Sequence, residues 1–224
     1  MKKKILNLIS KIKNKKITVG IVGLGYVGLP LALRFAEVGF NVIGYDKDNK
    51  KTIKFKKFKS YIRSISNLKL KNKNFIPTSN LKLLAESDAI IICLPTPLKK
   101  NSKVPDMTYI KSFSILLNKF LRENQIIILE STTYPGTTED IIRPILENSG
   151  LRAGKDFYLA YSPEREDPGN KNFSTDTIPK LVGGYTEECT RIAADLYSAA
   201  LSEVVPVKSC DIAEAAKLLE NIYR

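Results

Sequence analysis

Two hundred and twenty-four residues are enough for one large domain or two small ones, with a real hydrophobic core. Apolar residues make up 43% and charged residues 26%, which excludes a disordered or fibrous chain. Histidine is absent, the net charge is +13, and no apolar stretch approaches the roughly 18 residues of a membrane span. Those facts exclude Ser-His-Asp and Cys-His hydrolases, His-based metal sites and insertion into a bilayer.

Cys93, Cys189 and Cys210 are far apart and form no CxxC pair, so no metal is expected. The odd cysteine count fits a reducing compartment. The opening MKKKILNLISKIKNKK carries only six mostly apolar residues before charge returns, short of a signal h-region of about 7–15. The cytoplasm is the expected compartment.

The charge is uneven. Residues 1–73 hold 19 Lys and Arg against 3 Asp and Glu, and residues 74–224 hold 17 against 20. Clustered lysine can mark a nucleic-acid surface, but no nucleic-acid motif accompanies it, and Phe55, Phe58 and Tyr61 fall at helical, core-like spacing. The expected partner is therefore not nucleic acid; a basic face that draws in an anionic cofactor or substrate fits better.

After a basic tail over 1–16, Ile17 to Val22 reads as a short, β-branched, buried strand, and Tyr26 to Val38 as a helix stopped by Gly39. Asn41 to Asp46 is the next strand, Lys47 to about Phe58 a helix, and 61–80 is less regular. Further strands are expected at 88–94, 125–130, 157–161, 180–182 and 203–207. Helices are expected around 107–121, 137–148, 186–200 and 211–224. Wholly apolar strands alternating with amphipathic helices predict a doubly wound α/β fold with a mostly parallel sheet covered on both faces. The domain is expected over 17–208, with 209–224 starting a further helix.

Gly23-Leu-Gly25-Tyr26-Val27-Gly28 follows the first strand directly and opens the first helix. The first glycine allows the tight turn, the second lets a pyrophosphate approach the backbone, and the third lets helix pack on strand. Asp46 ends the second strand 23 residues after Gly23, where an acid can bind two ribose hydroxyls and repel a 2′-phosphate. The pattern predicts NAD rather than NADP. Gly150 to Lys155 lacks P-loop spacing, with Asp156 in place of Ser or Thr, and is rejected as a phosphate loop. Leu94 to Pro97, Glu130 to Thr137 and Ser162 to Arg165 each end a strand, which suggests one cleft along one sheet edge. On the last helix Ala213, Lys217 and Asn221 share a face; from spacing alone Lys217 reads as a solvated lysine paired with Glu214 or Glu220.

Together GLGYVGLP at 23–30, Asp46, LPTP at 94–97, ESTTYPGTTE at 130–139, SPERxxPG at 162–169 and AEAAKLLENIYR at 213–224 resemble the UDP-glucose/GDP-mannose dehydrogenase family, the nucleotide-sugar 6-dehydrogenases. The forms at 130–139 and 162–169 look more like the branch acting on UDP-N-acetylhexosamines. The resemblance implies NAD-dependent oxidation of a UDP-sugar C6 alcohol to a carboxylate in two steps, with a cysteine nucleophile, and a homodimer. By position, Thr132 and Glu164 resemble the pair that positions or activates water, Lys217 and Asn221 the groups that stabilise an oxyanion, and Pro95 and Thr96 the lining beside the nicotinamide. It raises the functional reading of Lys217 above the solvated one. Family members run to about twice this length, and none of the three cysteines has the family nucleophile's glycine-rich context. The expectation is thus an NAD-binding half that binds NAD without completing the reaction alone. Two other readings stay open: a non-catalytic NAD- or partner-binding module, and a β-hydroxyacid dehydrogenase relative, which would leave ESTTYPGTTE and SPER unexplained.

Overall fold

A computed structural model of the chain describes residues 2–62, 65–99, 102, 104–164 and 179–222. The expected basic tail is instead a helix, α1 (Lys2–Lys13), followed by β1 (Thr18–Val22) and α2 (Gly28–Glu37). Ile5, Leu8, Ile9 and Ile12 recur at i, i+3, i+4 and i+7 and are buried in the core, while Lys4, Lys11 and Lys13 are exposed. A single apolar stripe was enough to make a helix of what charge density alone made look like a tail.

Next come β2 (Asn41–Tyr45) and α3 (Asn49–Lys56), the latter capped by Asp48, whose side chain accepts from the Lys50 amide. The less regular 61–80 holds a 3-10 turn at Lys69–Lys71 and a further strand, β3 (Phe75–Thr78). Pro77 obscured that strand in the sequence. It is tolerated because β3 pairs only with β2 among the strands and forms the sheet edge. A one-turn helix α4 (Leu81–Leu84) leads to β4 (Ala89–Ile92), α5 (Thr108–Leu117) and β5 (Ile126–Leu129). The helix expected at 137–148 begins as a π-helical turn, Thr137–Ile142, and continues as α6 (Arg143–Glu147). Pro144 has no N–H to offer the Asp140 carbonyl, and the turn before it is wound wider. The chain ends through β6 (Tyr158–Tyr161), β7 (Lys180–Gly184), α7 (Glu187–Ser198), β8 (Val204–Val207) and α8 (Cys210–Ile222).

The eight strands form one sheet in the order β3-β2-β1-β4-β5-β6-β7-β8. Among the pairings of these described strands, only β6–β7 is antiparallel. Central strands are buried on both faces, which is why they read as unbroken apolar runs. Ile91 and Ile128 join the core beneath α1, α2 and α7, while Ile90, Ile92, Ile127 and Leu129 join that beneath α5, α6 and α8. Each such isoleucine, wholly buried, contributes about 2–3 kcal/mol. From β1 the chain winds outward to β2 and β3, then returns to place β4 on the other side of β1. The crevice at that reversal, outside the carboxyl ends of β1 and β4, is where open α/β sheets bind ligands.

Candidate functional site

Gly23 leaves β1 with φ +93°, a left-handed conformation that L side chains rarely adopt, and its N–H bonds the Tyr45 carbonyl at 2.8 Å. A Cβ on Gly28 would lie 1.9 Å from the Gly23 carbonyl oxygen, so only glycine lets α2 start this close to the turn. A Cβ on Gly25 would meet nothing within 4 Å: the loop is open there. α2 begins at Val27 with no side-chain cap, leaving its N-terminal dipole for an anion. Tyr26 is exposed beside this opening and Val27 is half-buried.

Asp46 is buried at the end of β2. Its Oδ2 accepts from the Leu24 amide at 3.1 Å and from Lys51 Nζ at 3.3 Å, and its Oδ1 accepts from the Asp48 amide at 2.9 Å. A carboxylate has about four acceptor positions, so three bonds fix its orientation and leave it able to accept more. Tyr61 ties the far side of the loop by donating to the Leu24 carbonyl at 2.6 Å.

The three strand-end segments do share one edge. Thr96 Oγ1 donates to the Thr132 carbonyl at 2.7 Å, stitching the loop after β4 to the loop after β5, with Pro95 and Thr132 exposed. After β6, Ser162 is buried and donates to the Leu181 carbonyl at 2.7 Å. Glu164 follows two residues on. Arg165 to Gly169 lie outside the described residues.

Sequence reasoning missed what lies under Glu164. Because β7 runs antiparallel to β6, with Tyr161 opposite Gly183, the start of β7 lies beside the end of β6. Lys180 there reaches Glu130 Oε1 at 2.8 Å and Glu164 Oε2 at 3.3 Å. Tyr197 on α7 donates to Glu130 Oε1 at 2.5 Å, and the Cys93 thiol lies 3.6 Å from Glu130 Oε2. Burial alone would lower the Lys180 pKa, but the two carboxylates outweigh it and hold the ammonium above its ordinary value. Burial raises the Glu130 carboxyl against the pull of Lys180. A lone Lys before LVGG carries no motif, so only pairing register could have found it.

On α8, Lys217 is buried and pairs with Glu220 Oε2 at 3.3 Å, one of the two partners its spacing allowed. Glu214 turns instead to the π-helical turn. Its Oε1 accepts from the Thr138 amide at 3.0 Å, Thr138 Oγ1 at 2.7 Å and Thr133 Oγ1 at 3.5 Å. Asn221 lies within α8, and its side chain is outside the described residues.

Residues 17–201 match the model of the UDP-glucose/GDP-mannose dehydrogenase family, NAD binding domain. The chain belongs to this family. Among relatives of this dehydrogenase-family chain, Protein CapL of Staphylococcus aureus is 42% identical over 208 residues, covering 92% of this chain and 49% of the relative. The UDP-N-acetyl-D-glucosamine 6-dehydrogenase of Pseudomonas aeruginosa is 36% identical over 213 residues, covering 94% and 50%. The solved structure of the UDP-D-ManNAc dehydrogenase of Pyrococcus horikoshii superposes with a TM-score of 0.86 at 32% identity, over 93% of this chain and 50% of that one. The chain thus spans about half the length of the curated relatives it matches.

As in the rest of the dehydrogenase family, the cofactor is NAD, and the donor set fits it. The open approach at Gly25, the uncapped helix start and the buried, oriented Asp46 carboxylate suit a diphosphate and a ribose diol. The three cysteines suit nucleophilic work poorly. Burial raises all three pKa values, furthest for Cys93 and Cys210, so they stay thiols.

Proposed function

We propose that the protein oxidises the C6 alcohol of a UDP-sugar, of the UDP-N-acetylhexosamine type, to a carboxylate with NAD, and that these residues form the dinucleotide half of its site. The family membership and the names of its relatives support the substrate class. Gly23, Gly25, Tyr26, Val27 and Gly28 cradle the diphosphate, Asp46 binds the adenosine ribose, and Pro95, Thr96 and Thr132 line the nicotinamide side. When bound, NAD supplies the two-electron acceptor, used twice for the four-electron oxidation.

The chain's own side chains then handle water and charge. With no histidine in the sequence, Glu164 and Thr132 at adjoining strand ends hold the water that attacks the carbonyl carbon, Glu164 taking its proton. Lys217 and Asn221, one turn apart on α8, are the groups assigned to stabilise the developing oxyanion. None of the three cysteines serves as nucleophile in this reading. Ile212, Leu219 and Ile222 on α8 are exposed, which supports a homodimer or a further part of the protein covering that stripe. No helix among the described residues is long and apolar enough to cross a membrane, and we place the enzyme in the cytoplasm.

The observation that carries the reading is the pairing of the open Gly25 turn with Asp46. Calorimetric titration of the chain with NAD and NADP tests it. NAD binding is expected, with NADP much weaker, and Asp46→Ala should weaken NAD by about 10- to 100-fold, the worth of hydrogen bonds to a charged group. A chain that binds neither nucleotide would sink the reading.

A further inference from the structure

Two acids and one base are buried together beneath the cleft edge. Lys180 and Glu130 are almost wholly buried, while the Glu164 side chain keeps 13% of its surface exposed. The closer pair, Lys180 with Glu130 at 2.8 Å, is held from below by Tyr197, whose hydroxyl bonds Glu130 and whose ring centroid lies 5.3 Å from Lys180 Nζ. The longer arm runs up to Glu164 at 3.3 Å. We propose that Lys180 is a positioning residue for Glu164: anchored by Glu130 and Tyr197, it holds the Glu164 carboxylate at the end of β6, aimed for use in the cleft.

A purely structural role explains less. A buried ion pair is seldom better for stability than packed apolar groups of the same size. This one has a surplus carboxylate, and that carboxylate is the member nearest solvent. Topology adds a second point. Had β7 run parallel to β6, its glycine end would lie at the cleft edge and Lys180 at the far end of the sheet. The reversal of one strand delivers an ammonium beneath the cleft edge, between the ends of β5 and β6.

The groups facing Glu164 define the pH behaviour. Among the described residues these include Lys180 on β7, Glu130 after β5 and Cys93 after β4, with Tyr197 on α7 acting on them through its bond to Glu130. Cys93 and Tyr197 are both raised well above their ordinary values, by burial first and by Glu130 second, and stay neutral near pH 7. Among the described residues Lys180 is the cation seen to contact both Glu164 and Glu130. Without it, two carboxylates share a buried space and one takes up a proton.

The inference rests on the proposed role of Glu164 as the water-activating group, but its test reads Glu164 directly. Carbon-13 NMR of the chain labelled at glutamate Cδ follows each carboxyl through pH, with Glu164→Gln assigning the resonance. In Lys180→Met the Glu164 midpoint should rise by about 1–3 pH units, the usual effect of losing an adjacent opposite charge, and Lys180→Arg should restore it. Lys180→Met also strands Glu130, so the double variant Lys180→Met/Glu130→Gln is measured beside it; there Glu164 still lacks the Lys180 ammonium, and a rise of at least half a unit is expected. An unmoved Glu164 midpoint in a folded variant would overturn the assignment. So would unfolding of both variants, which would make Lys180 structural. NAD titration of the unaltered chain is read separately: its failure sinks the proposed function, while the Glu164 midpoints still decide the role of Lys180.

Discussion

Gly25 and Gly28 stand three residues apart in one motif and answer to different physics. A methyl on Gly28 would collide with the Gly23 carbonyl, which is backbone and cannot step aside. Gly28→Ala should therefore destabilise the fold by about 2–3 kcal/mol, the usual cost of overpacking, read as a lower urea midpoint. A methyl on Gly25 meets no protein atom, so Gly25→Ala should leave the urea midpoint within about 0.5 kcal/mol of the parent. It should still weaken NAD at least tenfold, because the methyl fills the space through which a diphosphate reaches the backbone. Equal loss of stability in both variants would show that Gly25 is not kept open for a ligand. Spacing revealed these glycines; the division of labour between them needed coordinates.

At the scale of elements, α1 is the clearest departure from the sequence reading. Its lysines dominate the composition, yet four apolar residues on one stripe decide its fate by packing against α7 and the sheet. Ile12 is wholly buried, and Ile12→Ala should cost about 2–4 kcal/mol in chemical denaturation. Leu6, on the same helix and 62% exposed, should change stability by less than about 0.5 kcal/mol when cut to alanine. A disordered tail would give no change at either position. β3 was missed for the opposite reason: one proline hid a strand that needs its hydrogen-bonding partner on one side only.

For the whole molecule, Glu214 couples α8 to the sheet edge. Its Oε1 takes three bonds, while its buried Oε2 has no partner among the described residues, and burial pushes the carboxyl up to about 7 against the pull of Thr138. The folded state therefore holds this proton more tightly than the unfolded chain. The contribution to stability is complete below the ordinary glutamate value of about 4.5 and is lost as pH rises to about 7. In Glu214→Gln, which cannot ionise, that slope should vanish. Urea midpoints of the parent should fall relative to the variant between about pH 4.5 and 7 and run parallel above it. A constant difference across the whole range would rule this linkage out.

The sequence by itself determined the α/β alternation, the apolar strands, the glycine turn with Asp46 at the right distance, and the likeness to one dehydrogenase family. These are local signals: periodicity, turn chemistry and spacing survive in one dimension. It also marked Glu164, Lys217 and Thr132, by resemblance rather than by any local pattern. Tertiary structure alone decided that α1 packs, that Lys217 turns to Glu220 while Glu214 turns to Thr138, and that Lys180 belongs beneath Glu164. The α1 packing, the Glu214–Thr138 bonds and the Lys180 contacts join residues far apart in the chain, and with Glu214 turned to Thr138, Glu220 is the one of the two spacing-allowed partners that Lys217 takes. The Lys180 contact in particular follows from one antiparallel strand, and the direction in which a strand is laid into a sheet is set by its neighbours and not by its own residues.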